Sequence, residues 1–202
     1  MARACGAAAG WRALAAVLIL AGCLGAAPAS RAAEITHFHL ERNGESLLLS
    51  AQVRLELPAV VDDALQKGIP MFFVAEATIL RDRWYWYDKE VATATRYLRL
   101  SYQPLTRRWR LLVSATPVGQ AGLALGQGFD SRDEALAAVQ RISGWKIADA
   151  NDVEIDARHT LSLRFRLDTS QLPRPFQIGT VGQGEWNVSA TRMQRLSAEM
   201  VK

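Results

Sequence analysis

Three segments of the chain carry apolar residues at every second position. Residues 47–57 have leucine, alanine or valine at each odd position, and the odd positions of 71–79 and 161–167 are also apolar. A period of two is typical of a strand that turns one face toward a core. The segment 71–79 belongs to the longest apolar run after residue 33, so we predict that it forms the central strand.

Shorter patterns predict further strands, separated by turn signals such as Asn43-Gly44. They cover residues 34–41, 91–102, 107–116, 145–147 and 186–190. Two short helices are predicted. One runs from Pro58 to a glycine cap at Gly68, and the other starts with the capping box at residues 131–134 and stops at Gly144. The glycine-rich stretch 117–128 is predicted to be a loop.

Strands joined by turns indicate antiparallel pairing, because parallel strands need long crossover connections. We therefore predict a mainly β fold, either an antiparallel β-sandwich or a curved partial barrel, with two short helices. The sequence contains only Cys5 and Cys23 as cysteines, and both lie near the N-terminus. We expect the core to be stable without a disulfide bond.

The N-terminus has the pattern of a secretory signal. Arg3 and Arg12 flank a short positive region, and the apolar run at residues 13–22 is too short to span a bilayer. Two processing signals compete: a lipobox at residues 20–23, in which Cys23 would be lipidated, and a signal peptidase I site near residues 29–33. We interpret residues 1–33 as the signal peptide and residues 34–202 as a single β-rich envelope domain.

Export restricts the compartment and the partners. We expect a periplasmic protein, or a lipoprotein anchored in the outer membrane that faces the periplasm. The chain has 24 Lys and Arg against 20 Asp and Glu. Removal of Arg3 and Arg12 leaves 22 basic residues, and a cut after residue 32 removes Arg31 as well. A nearly neutral domain has few cations to replace the counterions of phosphates, so a nucleic-acid partner is not expected.

The strongest candidate binding surface follows the predicted central strand. It consists of charged and aromatic residues, namely Arg81, Asp82, Arg83, Trp84, Tyr85, Trp86 and Tyr87. Arginine, tryptophan and tyrosine dominate binding hot spots, and arginines can stack on aromatic rings. Alternatively, the tryptophans fill the core and Asp82 pairs with an arginine where the strand turns. On a strand Trp84 and Trp86 share one face and the tyrosines the other, so one pair can be displayed.

Other polar groups have structural explanations as well as chemical ones. His37 and His39 share a strand face, but zinc takes three or four protein ligands and His159 is the only other histidine. Asp62 and Asp63 are neighbours on a helix, about 100° apart, so we interpret them as partners of the helix dipole.

Glu76 lies within an apolar strand and needs either an outward position or a basic partner such as Arg81, Arg83 or Arg99. The chain contains no Gly-x-Ser-x-Gly motif, and Gly126-x-Gly128 lacks the context of a phosphate loop. We therefore predict no catalytic residues, no metal site and no cofactor, and expect the protein not to be an enzyme.

Several motifs together resemble the bacterial family known as domain of unknown function 4390. They are LPAVVDDALQKGIPMFFVAEATILRDRWYWYD at 57–88, LSY at 100–102, LTR at 105–107, SRDEAL at 131–136 and LDTSQLPRPFQ at 167–177. The resemblance implies an exported envelope protein without an assigned activity. It also implies a link to a nitrogen-regulation-type membrane sensor kinase.

Three functions remain open at the level of sequence. The first is a protein-binding or adaptor module that contacts another envelope protein, such as a sensor kinase, through residues 81–87. The second is a carrier or sensor of a small apolar ligand, held in a cavity lined by Met71, Phe73, Ile79 and Trp84. The third is a hydrolase whose catalytic residues, for example Glu76, Asp88 and a histidine, are distant in sequence.

Overall fold

The computed structural model describes residues 33–83, 85, 87–117, 125–153, 158–173 and 186–196. Most of the predicted signal peptide, with Cys23 and both processing sites up to residue 32, lies outside these described residues. So do Trp84 and Trp86 of the candidate binding surface.

Nine strands and two α-helices make up the described structure. The strands are β1 (Ala33–Asn43), β2 (Ser46–Leu55), β3 (Met71–Arg81), β4 (Lys89–Gln103), β5 (Arg108–Ser114), β6 (Leu125–Phe129), β7 (Arg141–Asp149), β8 (His159–Leu167) and β9 (Ser189–Leu196). The helices are α1 (Ala59–Gln66) and α2 (Arg132–Gln140), and short 3₁₀ turns cover Ala150–Asp152 and Thr169–Gln171.

The described strands form two separate antiparallel sheets and no closed barrel. One sheet has three strands in the order β1-β2-β7, and the other has six in the order β6-β5-β4-β3-β8-β9. Every strand pair is antiparallel. The prediction of a mainly β fold with antiparallel sheets and two short helices is therefore confirmed.

Strand β3 lies inside the larger sheet, with β4 on one side and β8 on the other. Its odd-numbered residues, from Met71 to Ile79, are at most 1% exposed. The Phe73 ring stacks on Phe165 of β8, with 5.6 Å between ring centroids. The alternation in the sequence thus identified the central strand and its inward face correctly.

The smaller sheet follows the same rule. Strand β2 buries its odd-numbered residues from Leu47 to Leu55 and pairs with β1 and β7. Asn43 pairs with Ser46 across a two-residue turn, and Gly44 in that turn has a φ of 59°. The two turn residues are therefore Gly44 and Glu45, and glycine suits the first of them because it adopts a positive φ easily.

Helix α1 has the ends that the sequence predicts. Pro58 lies directly before its first residue, where a missing N–H costs nothing. Gly68 has a φ of 83°, its N–H donates to the Leu65 carbonyl, and the Ile69 N–H donates to the Ala64 carbonyl. These two bonds form a Schellman motif, which ends the helix and turns the chain toward β3.

The second helix ends earlier than predicted. Ser131 accepts a hydrogen bond from the Glu134 N–H at 3.2 Å, so the predicted start is correct. The helix stops at Gln140, and Arg141 already pairs with Gln52 as the first residue of β7. Gly144, predicted as the helix stop, lies within β7 at a register shift with a φ of 52°. Pairing with β2 outweighs the local helical pattern here.

The predicted loop at residues 117–128 contains part of a strand. Strand β6 pairs Gly128 with Arg110 and Gly126 with Leu112 along the edge of the larger sheet. Glycine is unfavourable in strands, so the glycine-rich composition of residues 117–128 predicts a loop. The ladder with β5 stabilises the extended backbone.

We predict that Gly68→Ala lowers the free energy of unfolding by about 1–2 kcal/mol, because an L-residue is strained at a positive φ. The added Cβ would meet Pro104 at an ordinary 3.5 Å, so the cost is conformational. Gly128→Ala is the control, since its Cβ has no neighbour closer than 3.9 Å and its φ is not positive. Equal losses for the two variants in urea unfolding would contradict this interpretation.

Candidate functional site

Hydrogen bonds fix the base of the β3–β4 turn, which lies between Arg81 and Lys89. The Asp82 N–H donates to the Arg158 carbonyl at 2.9 Å, and the Thr160 hydroxyl donates to the Asp82 carboxylate at 3.1 Å. Across the turn, the Arg83 N–H donates to the Asp88 carboxylate at 3.3 Å. The two carboxylates therefore anchor the turn to itself and to the start of β8.

The turn displays its tyrosines. Tyr85 is 67% exposed and Tyr87 is 93% exposed. Arg83 is also exposed, whereas Arg81 and Asp82 are half-buried at the base. The structure thus divides the predicted surface into a base and a displayed tip. The placement of Trp84 and Trp86, and with it the alternative that they fill the core, lies outside the described residues.

The three histidines do not form a cluster in the described structure. His37 and His39 are exposed on β1, where a register shift follows Thr36 and gives His37 a φ of 44°. His159 is 3% exposed and lies on β8 in the other sheet. Among the described residues, no group of three or more His, Cys, Asp or Glu side chains is positioned to hold a metal ion.

The carboxylates of the hydrolase hypothesis are not close together. Glu76 is half-buried on the outer face of the larger sheet, between Thr95 of β4 and Arg164 of β8. Asp88 lies beyond the end of β3, and the strand from Glu76 to Arg81 alone spans roughly 16 Å at its usual rise. The sequence predicts for Glu76 either an outward position or a basic partner, and the structure places it on the outward face.

Asp62 and Asp63 point to different partners, as neighbours on a helix should. Asp63 forms an ion pair with Lys67 one turn later, at 3.0 Å. Asp62 accepts a 2.6 Å hydrogen bond from Arg132, which is the first residue of α2. Asp62 lies in the first turn of α1, as predicted for a partner of the helix dipole. Its hydrogen bond to Arg132 also connects the two helices.

The apolar cavity predicted between the sheets is filled at the described positions. Met71, Phe73 and Ile79 are at most 1% exposed and belong to the packed core. A ligand-sized space lies elsewhere, beside Arg96 of β4. Sequence reasoning missed Arg96, although a signal exists: it has the same parity as Leu98 and Leu100, so the alternation places an arginine on the inward face.

The motif at residues 167–177 has a structural role in its described part. The Asp168 carboxylate accepts hydrogen bonds from the Ser170 hydroxyl at 2.7 Å and the Gln171 amide at 3.0 Å. Burial works toward a higher pKa, but these bonds and the nearby charge of Arg166 outweigh it, so the pKa of Asp168 lies below its usual range. The Asp168 N–H also donates to the Phe72 carbonyl, which ties this turn to β3.

Helices α1 and α2, like the rest of the described helical structure, are too short or too polar to cross a membrane. A family model described as "Domain of unknown function (DUF4390)" matches residues 30–196. This range contains all of the described strands and both α-helices. No curated protein and no solved structure matches the chain.

We predict that Asp168→Asn lowers the free energy of unfolding by about 1–3 kcal/mol at neutral pH, because hydrogen bonds to a charged acceptor are lost. A pKa lowered by folding stabilises the protein above the unfolded-state value of about 3.9 and stops doing so as the pH falls through the folded-state value. The difference between wild type and variant should therefore shrink below about pH 4.

Urea unfolding between neutral and acidic pH measures this difference. Asp63→Asn is the matched control, because an exposed ion pair within a helix contributes only about 0.3–0.5 kcal/mol. A difference for Asp168→Asn that stays constant down to the acid limit of folding would show that the carboxylate charge is not responsible.

Proposed function

The chain belongs to the family described as "Domain of unknown function (DUF4390)", and we propose that it is a non-enzymatic binding module of the bacterial cell envelope. The module contacts another envelope protein through the β3–β4 turn. Its signal-like N-terminus supports export to the periplasmic side, either as a soluble protein or through a lipid on Cys23.

The observation that carries this proposal is the exposure of Tyr85 and Tyr87 on a turn with a fixed base. Tyrosine and arginine are enriched in the parts of interfaces that contribute most binding energy. Hydrogen bonds of Asp82 and Asp88 order the base of the turn before binding, and such ordering reduces the entropic cost of association. Arg83, exposed beside the tyrosines, adds a cation that can pair with an acidic partner surface.

The positions of the candidate acid and base groups favour binding over catalysis. General acid-base catalysis requires the two groups to reach the same substrate within hydrogen-bond distances. Glu76 lies on the outer face of the sheet, and Asp88 holds the turn. His37 and His39 are on the other sheet, and His159, which pairs with Arg81 near the turn, is only 3% exposed. A membrane sensor kinase with a periplasmic segment is the first partner to test.

We predict that a photoreactive benzoylphenylalanine at position 85 or 87 crosslinks to one partner protein in the native envelope. Leu105 provides the matched control site, because it is fully exposed on the β4–β5 turn at the opposite end of β4. The probe at position 105 should give no crosslinked product of the same mass as the product from position 85 or 87. Mass spectrometry of the adduct identifies the partner, and the sensor kinase is the expected class.

Arg83→Ala in the same strain should weaken the adduct without changing the amount of the protein. Adducts that are equally strong from positions 85, 87 and 105 would indicate random collision and contradict the proposal. The absence of any adduct from both tyrosine positions, with the protein correctly exported, would also contradict it.

A further inference from the structure

A groove of about 690 Å³ opens between the larger sheet and helix α2. Its floor is the inward face of β4, β5 and β6, where Leu98 and Leu111 are buried and Val113 and Phe129 are half-buried. Its wall is formed by α2 and the first residues of β7. Sites for small molecules usually have volumes of roughly 300–1,000 Å³ and mainly apolar linings, and the groove meets both criteria.

One charged side chain projects into this apolar space from the floor. Arg96 has the inward parity of β4, opposite Ala75, whose small side chain leaves room for it. Its guanidinium lies over the ring of the buried Trp145, 4.9 Å from the centroid. Stacking on an aromatic face holds the guanidinium plane while leaving its N–H donors at the edge.

Among the described residues, Arg96 has no compensating anion. In the part of the chain that the structure describes, no carboxylate lies within ion-pair distance of its guanidinium. Its burial lowers the pKa of the guanidinium, but an arginine in a protein stays charged at neutral pH. A partly desolvated charge without a counterion is costly, and a bound anion would relieve that cost.

The rest of the lining also favours an anion. Arg141 lies at the wall and forms no ion pair among the described residues. Gln127 adds an amide donor at the floor. Of the described lining residues only Glu134 carries a carboxylate, and it is exposed to solvent near the start of α2. Two arginines against one glutamate leave a net positive charge beside an apolar surface.

We propose that the groove binds an anionic amphiphile: one apolar chain that ends in a carboxylate or phosphate group. The chain lies along Leu98, Leu111 and Phe129, and the terminal oxyanion is held by Arg96 with Arg141 beside it. Planar guanidinium groups match both oxyanions with paired hydrogen bonds. This site is separate from the β3–β4 turn, and the inference does not depend on the proposed protein partner.

Isothermal titration calorimetry of the processed protein with dodecanoate, dodecyl phosphate and dodecanol, all below their micelle concentrations, tests the proposal. The three probes share one alkyl chain, so they separate the contribution of the anion from that of the apolar groove. We expect both anions to bind at least about tenfold more tightly than dodecanol, since one charge-assisted interaction of about 1.5–3 kcal/mol corresponds to tenfold or more. The anion that binds more tightly indicates whether the natural ligand carries the carboxylate of a fatty acid or a phosphate headgroup.

Three variants locate the site. Arg96→Met keeps the apolar stem and removes the charge, so it should weaken anion binding about tenfold while dodecanol binding stays within about twofold. Arg96→Lys should retain part of the anion preference. Ala137→Trp places a large side chain in the groove from an exposed position and should weaken all three probes.

Arg110→Met is the matched control for the loss of one positive charge. Arg110 is exposed on β5, and its parity is opposite to that of the buried Leu111. An equal loss of anion affinity in Arg110→Met would show non-specific attraction and overturn the proposal. Equal binding of dodecanol and dodecanoate, unchanged binding in Ala137→Trp, or no binding of any probe to a folded protein would overturn it as well. Sedimentation that shows a dimer dissociated by Ala137→Trp would instead assign the groove to a second copy of the chain.

Discussion

The burial of one face of β3 is the constraint on which the rest of the structure depends. The strand is hydrogen-bonded on both sides, so its parity fixes which residues of β4 and β8 face the core. Phe73 lies between Leu98 and Leu167, and Ala77 between Ala94 and Leu163. A shift of one residue would turn every one of these apolar side chains toward solvent. No disulfide bond is available in the domain to fix the register in another way.

Both candidate binding surfaces follow from this register. At one end of β3 the chain leaves the sheet, and Tyr85 and Tyr87 are displayed beyond that end. On the neighbouring strand, the same parity that buries Leu98 brings Arg96 inward, where α2 leaves a groove. The fold thus separates a displayed aromatic tip from a cationic apolar groove, and each surface can be tested without disturbing the other.

The sequence predicts those parts of the fold in which a local pattern and the tertiary structure agree. The strands with alternating apolar residues, the glycine cap at the end of α1 and the serine cap at the start of α2 are of this kind. It fails for β6 and β7, where ladder pairing overrides glycine and a helical pattern. For the candidate sites, the residue types alone point to Tyr85 and Tyr87, whereas the proposed role of Arg96 depends on the wall that α2 and β7 build around it. That wall is assembled from residues about 40 positions away, which no local pattern can show.

The burial of one face of β3 is tested most directly by urea unfolding of two variants with aspartate at adjacent positions of the strand. Ala77 is 1% exposed on the inward face, and Thr78 faces outward beside Thr93. We expect Ala77→Asp to lower the free energy of unfolding by at least about 3 kcal/mol, because an unpaired charge enters the core. Thr78→Asp should lose about 1 kcal/mol or less, as is usual for substitutions outside the core. Similar losses for the two variants, or a larger loss for Thr78→Asp, would contradict the assigned inward face.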